Sequence, residues 1–87
     1  MNKVEETIEL LQLPIDFKKI DNNYTAELTS SNEFSAVYTY LNNINDIDII
    51  KDDLTLFGAE TKYDFNNCII ILSGDFNTNK YTITVRE

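Results

Sequence analysis

The chain has 87 residues, 43% hydrophobic and 25% charged, and its fifteen Asp and Glu against seven Lys and Arg set a net charge of −8. Those proportions suit one small globular domain and exclude wholesale disorder, a collagen repeat and a membrane span, which needs about 18 consecutive apolar residues. One cysteine excludes an intramolecular disulfide, and the absence of histidine excludes imidazole catalysis and histidine-based metal sites.

The first predicted element is a helix. Asn2 and Glu5 have capping-box spacing, and Val4, Ile8 and Leu11 recur on one side with Leu10 beside them. Glu5, Glu6 and Glu9 fall on the other side, and Pro14 ends the helix at about Leu13. Residues 15–20 read as a short strand, and Asp21, Asn22 and Asn23 as a turn. Tyr24, Ala26 and Leu28 alternate with Thr25, Glu27 and Thr29, which predicts a second strand in a hairpin with the first. Ser30 and Glu33 repeat the capping-box spacing. Phe34, Val37, Tyr38 and Leu41 then give a second amphipathic helix that stops at Asn42 and Asn43.

Ile47 and Ile49 alternate with Asp46 and Asp48, so a strand begins there. Asp52 and Asp53 mark a turn or bulge, extended structure resumes at Leu54, and Gly58 interrupts it. Thr61, Tyr63 and Phe65 alternate with Glu60, Lys62 and Asp64 as another strand. Asn66 and Asn67 form a two-residue connector tolerant of positive φ. Residues 68–72, apolar on both parities, read as a central strand, and 73–79 as a loop. Tyr81, Ile83 and Val85 mark the last strand. The order α-β-β-α-β-β-β-β with short connections predicts antiparallel pairing. Two helices on one face of a sheet of about four to six strands make a two-layer α+β domain.

Cys68 lies in an apolar run, where a thiol behaves as a small hydrophobe. A reducing cytosol suits it, and residues 1–6 lack the basic-then-apolar order of a secretion signal, so a cytoplasmic protein is expected. Eleven Asn, eleven Ile and six Lys to one Arg match the usage of an AT-rich genome, pointing to a low-GC bacterium or its phages and plasmids. Two glycines are too few for a phosphate-cradling loop, and one Cys builds no zinc or iron–sulfur site. Paired-carboxylate chemistry needs a deep cleft, which a chain this short rarely builds. The expectation is therefore no catalytic residue, no cofactor and no metal. Asp75, Asn77 and Asn79 match the start of a calcium loop. Lys80 then stands where that loop needs glycine and Arg86 where it needs a bidentate glutamate, so a hairpin turn is expected.

An excess of acid repels nucleic acid and anionic lipid and favours a basic protein as partner. Asp46, Asp48, Asp52 and Asp53 form the densest acidic run. If Asp46 and Asp48 share a strand face, their side chains lie about 6.7 Å apart and the run imitates a phosphate backbone. The competing reading is an edge strand protected by charge. Glu5, Glu6 and Glu9 form a second acidic patch, which also reads as a solvated helix face. Tyr40, Phe57 and Phe76 lie off the core pattern and are candidate interface anchors, or caps on the core's edges. In size and charge the chain is similar to phage proteins that disarm host defence nucleases: anti-CRISPR proteins, anti-restriction proteins and the phage inhibitor of uracil-DNA glycosylase. No motif carries that likeness. It implies an inhibitor that occupies the basic surface of a nucleic-acid enzyme by DNA mimicry. The alternative is an immunity protein or a non-catalytic accessory subunit.

Overall fold

The expected order of elements is the observed one in the structure, a computed structural model that describes residues 2–87. Helix α1 spans Lys3–Leu11 and is followed by strands β1 (Lys18–Ile20) and β2 (Asn23–Leu28). Helix α2 (Ser31–Asn42) leads to β3 (Asp48–Leu54), β4 (Gly58–Phe65), β5 (Cys68–Asp75) and β6 (Lys80–Arg86). The strands form one six-stranded sheet in the order β1-β2-β6-β5-β4-β3. Every pairing is antiparallel. From β3 to β6 the chain meanders back toward β2, so α2 must carry it from the second position in the sheet to the far edge.

Both helices begin where the sequence places their caps. The Asn2 side chain accepts from the Glu5 amide at 2.8 Å, and Glu5 accepts in return from the Asn2 amide at 3.2 Å. Ser30 accepts from the Glu33 amide at 3.1 Å, while Glu33 reaches one residue further back, to the Thr29 amide at 2.9 Å. The first helix ends earlier than Pro14 alone would require. Gln12 takes a left-handed conformation (φ 53°), and its amide bonds to the Glu9 carbonyl. That is the usual C-terminal stop, achieved without glycine.

Alternation sorts each strand between a helix face and an open face. Ala26, Leu28, Tyr63, Ile70, Leu72, Tyr81, Ile83 and Val85 are buried with Val4, Leu11, Phe34, Val37 and Leu41 from the helices. Thr7 joins them. Its hydroxyl donates to the Lys3 carbonyl at 2.9 Å and lies 3.2 Å from Cys68 Sγ, so a polar residue sits on the buried stripe at no cost in unpaired groups. Cys68 is buried as expected. Asn66 and Asn67 both have positive φ and form the tight β4–β5 turn.

Boundaries within the sheet also differ from the sequence reading, including the β3–β4 turn, which falls at residues 55–57 so that Gly58 opens β4 instead of interrupting extended structure. β1 is only Lys18–Ile20, because Leu13, Ile15 and Phe17 pack as an irregular segment against the core. β5 runs on through Ser73, Gly74 and Asp75, which pair with β4 and β6 instead of looping out. Gly74 permits this: a Cβ there would lie 2.9 Å from the Tyr81 ring, which itself stacks at 5.2 Å, tilted, on Phe34. Asp52 and Asp53 lie within β3, and the register break falls earlier, between Ile49 and Lys51.

The helices pack over β2, β6 and β5. The far edge is covered far less: all seven residues of β3 are exposed.

Candidate interaction surface

The β3–β4 connection is a hydrogen-bonded apolar tip. The Thr55 hydroxyl accepts from the amides of Phe57 and Gly58, each at 3.1 Å, and the Thr55 amide donates to the Gly58 carbonyl at 2.9 Å. With its polar groups closed on themselves, the turn leaves Leu56 90% and Phe57 66% exposed, beside Leu54 at 75%. The β5–β6 loop lies against it, because the Phe76 amide donates to the Phe57 carbonyl at 2.9 Å. Phe57 and Phe76, nineteen positions apart in sequence, thus meet at one end of the sheet. The remainder of the β5–β6 loop closes as a turn, with the Asp75 carboxylate accepting from the amides of Asn77 and Thr78. Among the described residues no three acidic or thiol side chains gather as a metal site.

Between α2 and the overhanging edge runs a cleft of about 270 Å³, lined by Phe34, Tyr38, Leu54, Ala59, Phe76 and Tyr81 among others. It falls just below the roughly 300–1,000 Å³ of small-molecule pockets and suits one or two apolar side chains. Its wall is fixed by Asp52. One carboxylate oxygen accepts from the Tyr38 hydroxyl at 2.9 Å and the other from the buried Thr61 hydroxyl at 3.0 Å. Nearby, burial pushes the Tyr63 phenol far up, and its hydroxyl donates to Asn42 at 2.9 Å, holding the end of α2 on the sheet.

The acidic run does not form a row. Asp46 has positive φ (67°) and lies before β3, so Asp46 and Asp48 do not share a strand face. Asp48 pairs with Asp64, at the opposite end of β3 from the tip. Asp52 faces the helices and Asp53 the open side, where Lys51 lies 3.3 Å from Asp53 and 2.9 Å from Glu60. The Lys51 ammonium bonded to Glu60 holds that carboxyl below the usual range, and Glu60, then Asp53, hold the ammonium above its own. Following the register across the open face, Glu27, Asp48, Asp53, Glu60, Asp64 and Asp75 share it with Lys18, Lys51, Lys62, Lys80 and Arg86. That face is nearly balanced, so the net negative charge resides on the helices, loops and ends.

The other expected site residues lie apart from the tip. Glu5 is the reciprocal cap of α1, and its bond from the Asn2 amide holds its carboxyl below the usual range. Glu6 accepts from the Asn66 amide group at 3.2 Å and lies 3.8 Å from Lys3, so it helps seat α1 on the β4–β5 turn. Glu9 is exposed on α1. Tyr40 donates to the Leu11 carbonyl at 2.8 Å, tying α2 to the end of α1. It lines a wider depression of about 510 Å³ beside Leu13, Pro14 and Ile15. Leu54, Leu56 and Ile49 are exposed residues that the sequence places in ordinary extended structure, and Ile50 is exposed beside them. A run of large apolar side chains around Asp52 and Asp53 was the available signal for an overhanging edge.

The chain matches no family model, no curated protein and no solved structure.

Proposed function

We propose that this chain is a small acidic inhibitor that binds the basic, nucleic-acid-binding surface of an enzyme, of the kind phages and plasmids deploy against host defence nucleases. Its net charge steers the encounter and its apolar tip anchors the complex. The observation that carries this reading is the exposure of Leu54, Leu56, Phe57 and Phe76 at one end of the sheet, where Asp52 and Asp53 line the adjoining cleft and Asp75 begins the β5–β6 turn. Large apolar side chains exposed on a hydrogen-bonded turn are characteristic of protein docking sites, and the acidic surroundings select a basic partner.

A second reading has its own support. A phosphate mimic needs carboxylates in a row, and here they are dispersed and partly matched by lysines. That favours an immunity protein or accessory subunit that grips its partner through the tip without entering the nucleic-acid groove.

A panel of purified effector and restriction nucleases and a DNA glycosylase, each offered a labelled duplex, separates the two readings. An inhibitor lowers duplex binding and cleavage together, and Phe57→Ser weakens that inhibition at least about tenfold. Complex formation that leaves the duplex bound supports the accessory reading. Failure of every basic enzyme in the panel to bind at low salt refutes the inhibitor.

A further inference from the structure

We propose that β3 is an acceptor edge, on which a basic, extended segment of the partner adds as a further strand and directs its apolar side chains into the cleft beside α2. This rests on the reading of the chain as a binder of basic proteins and names how the partner is held.

β3 pairs with β4 on one side and ends the sheet on the other. The Thr55 amide faces β4, so alternation turns the amides and carbonyls of Leu54 and Asp52 outward. Outward main-chain groups on an edge are a template for another strand. The opposite edge, β1, offers only three residues. The side chains of Leu54 and Asp52 are on the helix side, where the cleft lies directly beside the edge. An added strand therefore places alternate side chains over Tyr38 and Leu54 and the intervening ones beside Asp53 and Asp48.

Charge chooses the occupant. β3 carries Asp48, Asp52 and Asp53 against Lys51, and Lys51 is already paired with Asp53 and Glu60. A second copy of this chain would bring one such strand against another and add −8 to −8. β4 already sets acid opposite acid on β3, with Asp48 facing Asp64 and Asp53 facing Glu60, so a further acidic strand compounds that repulsion, whereas Lys or Arg beside those aspartates relieves it. The bulge around Ile50 further spoils long regular self-pairing and leaves the stretch from Lys51 to Leu54 as the acceptor.

The test uses a labelled peptide of alternating Lys and Val as probe. Two further peptides carry backbone N-methyl groups on either the Val or the Lys amides, with charge and side chains unchanged. The expected result is binding in which one methylated form, and only one, loses at least about tenfold, because it alone lacks the main-chain donors. Hydrogen exchange at Asp52 and Leu54 should slow when the unmodified peptide binds. Equal binding by all three peptides, or by an alternating Glu and Val peptide, overturns the proposal. So does a concentration-dependent dimer that protects the same two amides. On the protein, Leu54→Pro removes an outward amide without touching the β4 ladder, and if it fails to fold the methylated peptides still decide. Edge binding with no effect on any nucleic-acid enzyme removes the inhibitor reading and leaves the acceptor edge. Inhibition that survives Leu54→Pro removes the acceptor edge and leaves the inhibitor.

Discussion

Over β5 and β6 the helices leave Ile70, Leu72, Ile83 and Val85 with no exposed surface, while on the other side of β4 Leu54, Leu56 and Phe57 stand mostly in solvent. The two regions belong to one sheet and use similar side chains. In the first, apolar area removed from water stabilises the fold by roughly 25 cal/mol per Å². In the second that area stays wet, and order comes from polar groups instead: the Thr55 hydroxyl within the turn and the Phe76–Phe57 main-chain bond. A turn whose main chain is already hydrogen-bonded loses little backbone entropy when something covers it. The contrast therefore separates residues that hold the fold from residues available to a partner.

The sharpest break in that contrast comes from equal truncations on its two sides. Ile70→Ala, at a fully buried site, should cost roughly 2–5 kcal/mol in urea unfolding. Leu56→Ala, at 90% exposure, should stay below about 0.5 kcal/mol. Comparable losses would show that the tip is part of the core in solution.

A smaller effect separates two neighbouring aspartates. Asp52→Ala strands the buried Thr61 hydroxyl and frees Tyr38, and should cost about 1–2 kcal/mol. Asp53→Ala loses only an exposed pair with Lys51 and should leave the unfolding midpoint unchanged. If the two variants are equally stable, Asp52 does not hold α2 against the edge.

The sequence made the order of elements, both helix caps, the Asn66–Asn67 turn and most of the core legible. In each case the local signal and the tertiary demand agree. Where they conflict, tertiary pairing prevails. Ser73, Gly74 and Asp75 look like a loop, yet they extend β5 because β4 and β6 supply partners on both sides. Of the expected site residues, Phe57 and Phe76 come together, and Asp52 and Asp53 lie near them. Tyr40, Glu5 and Glu6 are bonded into helix ends and turns. No periodicity reveals that α2, though bonded to Asp52, leaves all of β3 exposed. That depends on where the β2–α2–β3 crossover lands, which is a property of topology and not of any window of sequence.

Steering should distinguish the regions kinetically. Asp46, Asp48 and Asp53 make no bond to the helices, so replacing all three with Asn removes charge while keeping turn chemistry; at Asp46 Asn also tolerates the positive φ. Association with a basic partner at low salt should slow several-fold, up to about tenfold, with dissociation little changed. The gap should close in high salt, where exposed charges are screened beyond about 8–10 Å. Equal on-rates across the salt series would assign the steering to Glu9 and the other carboxylates outside the edge.

The smallest effect is a pH dependence confined to exposed carboxylates. Glu5 is held below the usual range by the Asn2 amide and Glu60 by Lys51. A carboxyl depressed in the folded state contributes stability that is fully present above its ordinary pKa, about 4.3, and is lost as pH falls through its folded value. Acid should therefore loosen the start of α1 and the β3–β4 pairing. The strands under the helices, whose core holds no such carboxylate, should not respond. The measurement is the melting temperature of wild type, Glu5→Gln and Glu60→Gln at neutral pH and near pH 3. Wild type should melt slightly higher at neutral pH, and the difference should vanish in acid. Because both groups are open to solvent, added salt should shrink the Glu60 difference. It should affect Glu5 less, since its bond to the Asn2 amide depends on contact geometry more than on a distant charge. A difference that persists unchanged in acid would assign the effect to side-chain shape, and the edge and the helix cap would then owe nothing to their ionisation.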